Sequence, residues 1–186
     1  MIYLLPVQHD LQFGSNSRYT LLQEFIELII NEKGITLACE EASQQDLDHP
    51  NNRACVKEVA DHHKITHKLC DLTDEERSRA GIFTAQEFFD WKQEHIKEMS
   101  KLALQQQDLQ MKEKQDKFEA DEQSYQRKRE RAWFERIKDK KLETILFILG
   151  AGHISSHSSS GGGGFDKLLE QEGWSYEILK NEELFT

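Results

Sequence analysis

Two short, strongly apolar runs constrain what this chain can fold into: Ile2–Val7, and residues 142–149 far along the sequence, the latter unbroken from Ile145. Each gives way to a histidine within a few residues, His9 and His153. Successive apolar positions, without the alternation of a half-exposed strand, predict a strand covered on both faces. Such strands belong to parallel sheets packed between helices.

The intervening segments supply those helices. Residues 21–30 carry apolar side chains at helical spacing and are followed by Gly34, a helix stop. Residues 35–39 read as a second strand that ends in Glu40 and Glu41. Residues 51–61 read as a helix with Ala54, Cys55, Val56, Val59 and Ala60 on its inner face. A third strand, 65–70, ends in Asp71, and Thr73 with Glu76 forms a capping box that opens a short helix. After 142–149 come a short helix at Phe165–Gln171, a break at Gly173 and a last strand at 175–180. Strands alternating with helices predict an α/β fold, a mainly parallel sheet flanked by helices, in a single domain over residues 1–186. The tract 155–164, all serine and glycine apart from His157, reads as a flexible linker-like loop, and His157 is given no role.

Residues 84–141 contain neither proline nor glycine, and Thr84 with Glu87 forms a second capping box. A long projecting helical segment is therefore predicted over about 84–141. Its apolar residues form a thin seam in which Leu104, Met111, Phe118 and Tyr125 recur every seven residues, with Leu109 and Ala132 nearby. A seam this narrow suits either a helical hairpin packed on the sheet or a dimerisation arm.

Charge and cysteine usage narrow the function classes. The net charge is −10, and an acidic surface repels nucleic-acid phosphates and anionic lipid. Neither nucleic acid nor membrane is an expected partner. The basic run Arg127, Lys128, Arg129, Arg131 and Arg136 reads as a solvated helix face. No apolar run approaches the roughly 20 residues of a spanning helix, and the first residues lack the basic leader of a signal peptide. Cys39, Cys55 and Cys70 are odd in number and form no C-x-x-C, so reduced thiols and a cytoplasmic location are expected. Cys39 and Cys70 fall in apolar runs, where a thiol acts as a small buried hydrophobe.

In an open parallel sheet, ligands bind at the carboxyl ends of the strands. Those ends bring His9, Glu40, Glu41, Asp71, Gly150, Gly152 and His153. Two histidines with two or three carboxylates make either a divalent-metal site, with His9, Glu41 and His153 as ligands, or a general acid/base pair. Gly150 and Gly152 would let a ligand or cofactor approach the backbone. Asp71 precedes a helix and is expected to favour its N-terminus. His49, His62, His63, His67 and His95 have no ligand-like spacing and are expected at the surface.

The same pieces resemble the TraB/Tiki and erythromycin-esterase-like superfamily, which includes the ChaN-like proteins. They are the first strand ending Pro6-Val-Gln-His9, the second ending Ala38-Cys-Glu-Glu41, and the late strand ending Gly150-Ala-Gly-His153. A helix and Gly173-Trp-Ser-Tyr-Glu-Ile178 follow. Arg129 through Ile137 matches the spacing of the family's R-N-x-x-M-x-x-x-I helix, with Glu130 where asparagine is usual.

The resemblance implies a hydrolase-like site acting on a small-molecule or peptide substrate. Family members include metal-dependent proteases, esterases acting on macrolides, and binding or regulatory proteins. On that reading His9 and His153 are metal ligands or general base and acid, and Glu40 or Glu41 activates water or completes a metal shell. Glu41 is favoured because it lies nearer the open end, and adjacent strand residues point to opposite faces. Arg129 would point into the site and bind an anionic group or stabilise developing negative charge. The alternative is a non-catalytic module that binds a ligand or partner, or forms a homodimer through the helical arm.

Overall fold

The structure, a computed structural model, describes residues 1–8, 17–48, 54–155 and 164–180. His9, His49 and His157, and the expected helix start at 51–53, lie outside the described residues. Contacts divide the chain into two compact units, residues 1–71 with 130–186, and residues 72–129.

The first unit is built on five parallel strands: β1 (Ile2–Val7), β2 (Leu37–Glu40), β3 (Thr66–Leu69), β4 (Ile145–Gly150) and β5 (Tyr176–Ile178). Their order in the sheet is β3-β2-β4-β1-β5. The two apolar runs that flank the chain are therefore neighbours, with Ile2 opposite Ile145 and Val7 opposite Gly150. The second run enters the sheet at Ile145 rather than at Leu142, which is fully exposed.

Pro6 sits in an interior strand without costing a ladder bond. The even positions of β1 bond towards β5, Ile2 N–H to Ser175 O and Leu179 N–H to Leu4 O. The β1–β5 pairing ends at Leu4, so the N–H that Pro6 lacks would have met no strand.

Each face carries its own core. On one, Leu5, Val7, Ala38, Leu146 and Ile148 pack against α1 (Ser17–Lys33), through Leu22 and Ile26, and against another helix, Cys55–His63, through Val56 and Val59. That helix is α3; α2 is the single turn Gln44–Leu47. On the other face, Ile2, Leu4, Leu37, Cys39, Ile145, Phe147 and Leu149 meet Trp133, Phe134 and Ile137, and also Phe165 and Leu169 of a terminal helix. Strands β1→β2 and β2→β3 are joined across the first face and run one way along the sheet. Strands β3→β4 and β4→β5 are joined across the second and run the other way, as right-handed crossovers require.

The second unit holds α4 (Asp74–Arg79), α5 (Ala85–Leu104) and most of α6 (Asp108–Ile137), whose last turns, from Glu130, belong to the sheet unit. The terminal helix, α7, is Phe165–Gln171. Both predicted capping boxes form, Thr73 with Glu76 and Thr84 with Glu87.

The long helical segment is interrupted. At Gln106 the backbone turns left-handed, φ 55°, and the chain doubles back as a hairpin. The seven-residue seam closes on α5 itself: Phe88 stacks on Tyr125 at 4.1 Å, Trp91 on Phe118 at 4.3 Å and His95 on Phe118 at 3.8 Å. Leu104 ends α5 and is 87% exposed, so it does not continue that seam. Among the described residues no helix is long and apolar enough to cross a membrane.

Candidate functional site

Strands β1 and β4 lie side by side but exit to opposite faces, β1 towards α1 and β4 towards α7. A pair of neighbouring strands with diverging exits is where open α/β sheets seat their ligands. β4 leaves the sheet through a single 3₁₀ turn, Ala151–His153, which carries His153 back under the second face. There the imidazole is buried, with the Trp133 ring edge-on at 4.6 Å.

Two carboxylates grip the ring. Nδ1 lies 2.8 Å from Glu130 Oε1, and Nε2 lies 3.3 Å from Glu41 Oε1. Both glutamates are buried. Glu41 is fixed at both ends, because its own N–H donates to Ile148 O and its Oε2 accepts the Gly150 N–H at 2.7 Å. Glu130, Trp133 and Ile137 follow at helical spacing, so one face of α6 delivers the carboxylate, the indole and the anchoring apolar side chain together. The indole is itself oriented, since Trp133 Nε1–H donates to Asp71 Oδ1 at 3.1 Å.

An ionised carboxylate only accepts hydrogen bonds, and a neutral imidazole donates through one nitrogen alone. A ring with a carboxylate at each nitrogen bonds to both only as imidazolium. With the ring neutral, the lone pair left over faces a carboxylate oxygen, an arrangement that suits a cation. A tetrahedral ion holding imidazole nitrogen and carboxylate oxygen at about 2.0–2.2 Å keeps those donors about 3.3–3.5 Å apart. His153 Nε2 and Glu41 Oε1 have that spacing. Among the described residues no group of three or more histidine, cysteine or acidic side chains is arranged to hold a metal. The third expected ligand, His9, lies outside them.

Several expectations from the sequence need correction. Glu40 does not share the site with Glu41. As the alternation of a strand requires, it points to the other face, where Oε1 meets His67 Nε2 at 2.6 Å. Its Oε2 is buried and has no hydrogen-bond partner among the described residues. His67, expected at the surface, is therefore largely buried against Glu40. Asp71 is not the cap of α4, which is Thr73. Gly150 uses its N–H to hold Glu41, and among the described residues a side chain at Gly152 would meet no protein atom within 4 Å.

Arg129 departs from the expected solvated face: it is buried, donates to Gln126 Oε1 at 3.3 Å and lies over the Tyr125 ring at 5.8 Å. Arg136 is tied to Leu69 O, whereas Arg127, Lys128 and Arg131 are exposed.

The cysteines are free and buried. Burial, with the Cys70 thiol beside it, pushes the Cys39 thiol well above its ordinary range. A thiol held protonated is a poor nucleophile.

The sequence reading missed Glu130 and Trp133. The available signal was their spacing: Glu130, Trp133 and Ile137 stand at i, i+3 and i+7 inside a charge run, which places Glu130 on the apolar face. No protein-family model, curated protein or solved structure matches this chain.

Proposed function

We propose that this chain is a hydrolase with a TraB/erythromycin-esterase-like site, acting on an ester or amide of a small-molecule or peptide substrate. The observation that carries the reading is the buried His153, held between Glu41 and Glu130 at the carboxyl ends of the central strands. Two alternatives share these residues: His153, Glu41 and His9 would hold a divalent ion, which would supply an activated water at neutral pH, or, without a metal, Glu41 draws a proton from water while His153, as imidazolium, gives one to the leaving group. The three free thiols fit a reducing compartment, the cytoplasm.

The test is a panel of chromogenic esters and peptides with the purified chain, wild type against Glu41→Gln and His9→Ala. Hydrolysis that both variants lose, while their melting temperatures stay within a few degrees of wild type, supports the reading. Hydrolysis by none of the proteins, or equally by all three, overturns it.

A second reading, assembly through the hairpin, draws on one observation: Leu104 and Leu109 at its tip are 87% and 82% exposed. Light scattering decides it. A dimer that becomes monomeric in Leu104→Asp with Leu109→Asp supports the arm, and a wild-type monomer removes it.

A further inference from the structure

We infer that Glu130 is a positioning residue: it fixes the proton on His153 Nδ1 and so leaves Nε2 as the nitrogen that faces Glu41. The inference rests on the reading of His153 and Glu41 as the working pair and adds a residue to which the sequence reading assigned no role.

Four observations support it. The Glu130 Oε1 contact, at 2.8 Å, is shorter than the 3.3 Å one to Glu41. An ionised carboxylate has no proton to give, so that hydrogen bond requires the hydrogen on Nδ1. Glu130 is buried, and its backbone sits in a helix anchored by Trp133 and Ile137, both wholly buried, so the carboxylate has little freedom to follow a moving ring. The indole of Trp133 stands edge-on to the same imidazole, at 4.6 Å, and packs against it.

On the far nitrogen the contact is longer, 3.3 Å, and the oxygen facing it belongs to a carboxylate already oriented by the Gly150 N–H. One nitrogen is thus held more closely than the other. A carboxylate behind a metal-binding imidazole sets its tautomer and raises its basicity, and losing such a partner costs about 10–100-fold in metal affinity. Asparagine, the usual residue at this position in the family that the motifs resemble, is shorter and uncharged. A glutamate here gives the ring a charged acceptor.

The experiment uses the full chain, free of metal, in three forms: wild type, Glu130→Gln and Glu130→Leu. Nitrogen-15 NMR of the His153 ring, recorded at increasing pH until the ring is neutral, reads the tautomer directly. Zinc titration with a competing chromogenic chelator reads affinity.

Wild type should show a single Nδ1–H tautomer. Glu130→Leu should show a mixture, or the Nε2–H form, with zinc binding weakened about 10–100-fold. Glu130→Gln, whose side-chain oxygen still accepts, should retain most of the Nδ1–H signal and remains informative if the leucine variant does not fold. An unchanged tautomer in a folded Glu130→Leu protein, or an Nε2–H ring in wild type, overturns the inference. Zinc that binds wild type no better than His153→Gln removes the metal from the proposed function, while the tautomer measurement still decides the role of Glu130.

Discussion

Two histidine–carboxylate pairs stand at the carboxyl edge of one sheet, drawn from adjacent glutamates, and they are built differently. Glu41 pairs with His153 on the face covered by α6 and α7, and Glu40 pairs with His67 on the face covered by α1 and α3. The His153 ring is bounded on both nitrogens and packed by Trp133. His67 meets a single glutamate whose second oxygen has no partner among the described residues. Chain neighbours thus acquire different surroundings, because a strand sends them to opposite faces and, among the described residues, only one face brings a third charged group. On the proposed function the first pair carries the chemistry and the second a structural role.

The sharpest way to break that assignment is to neutralise each glutamate in turn. Glu41→Gln should lower turnover by about 10²–10⁴-fold, the usual worth of a general acid/base group, while Glu40→Gln should leave it within a few-fold of wild type. Steady-state assays on any ester that wild type hydrolyses give the answer. Equal losses would erase the distinction between the faces.

Stability should separate the pairs as well. His153→Ala strands two buried carboxylates and should cost about 3–5 kcal/mol in urea unfolding. His67→Ala strands one and should cost about 1–3 kcal/mol. A reversed order would mean that the single contact of His67 holds more of the fold than the double contact of His153.

Trp133→Phe keeps an aromatic ring against His153 but removes the donor to Asp71. Leaving that buried oxygen short of one bond should cost about 1–3 kcal/mol, and the His153 ring signals should shift if the indole helps to position it. A variant as stable as wild type would show that the Asp71 bond contributes little to the second face.

The smallest effect concerns pH. Cys39 lies in the second-face core, and its folded-state thiol is held above the unfolded value by burial and by Cys70. Below the unfolded value, about 8.5, both states keep the proton and the thiol leaves stability independent of pH. Above it the unfolded chain ionises first, so stability should fall as pH rises towards the folded value. Urea midpoints at increasing pH, wild type against Cys39→Ala, isolate that slope. A flat difference would place the thiol in a wetter setting than its burial indicates.

Much of this fold was legible in the sequence. Apolar runs without alternation identify doubly covered strands, and the capping boxes at Thr73 and Thr84 fix two helix starts, because these are local preferences of backbone and side chain. The period of a strand also separates Glu40 from Glu41 before any coordinates are known. Partners across the chain were not legible. Residue 41 meets residue 153 only because β4 is inserted between β2 and β1, an order that local pattern does not encode, and residue 40 meets residue 67 only because β3 pairs along the other edge of β2. Glu130 was hidden for the same reason: inside a charge run it looks solvated, and only the docking of Trp133 and Ile137 on the sheet turns it inward. Short-range physics determined the elements and their faces, whereas the meeting of buried charges depended on sheet order and helix docking, which are properties of the whole fold.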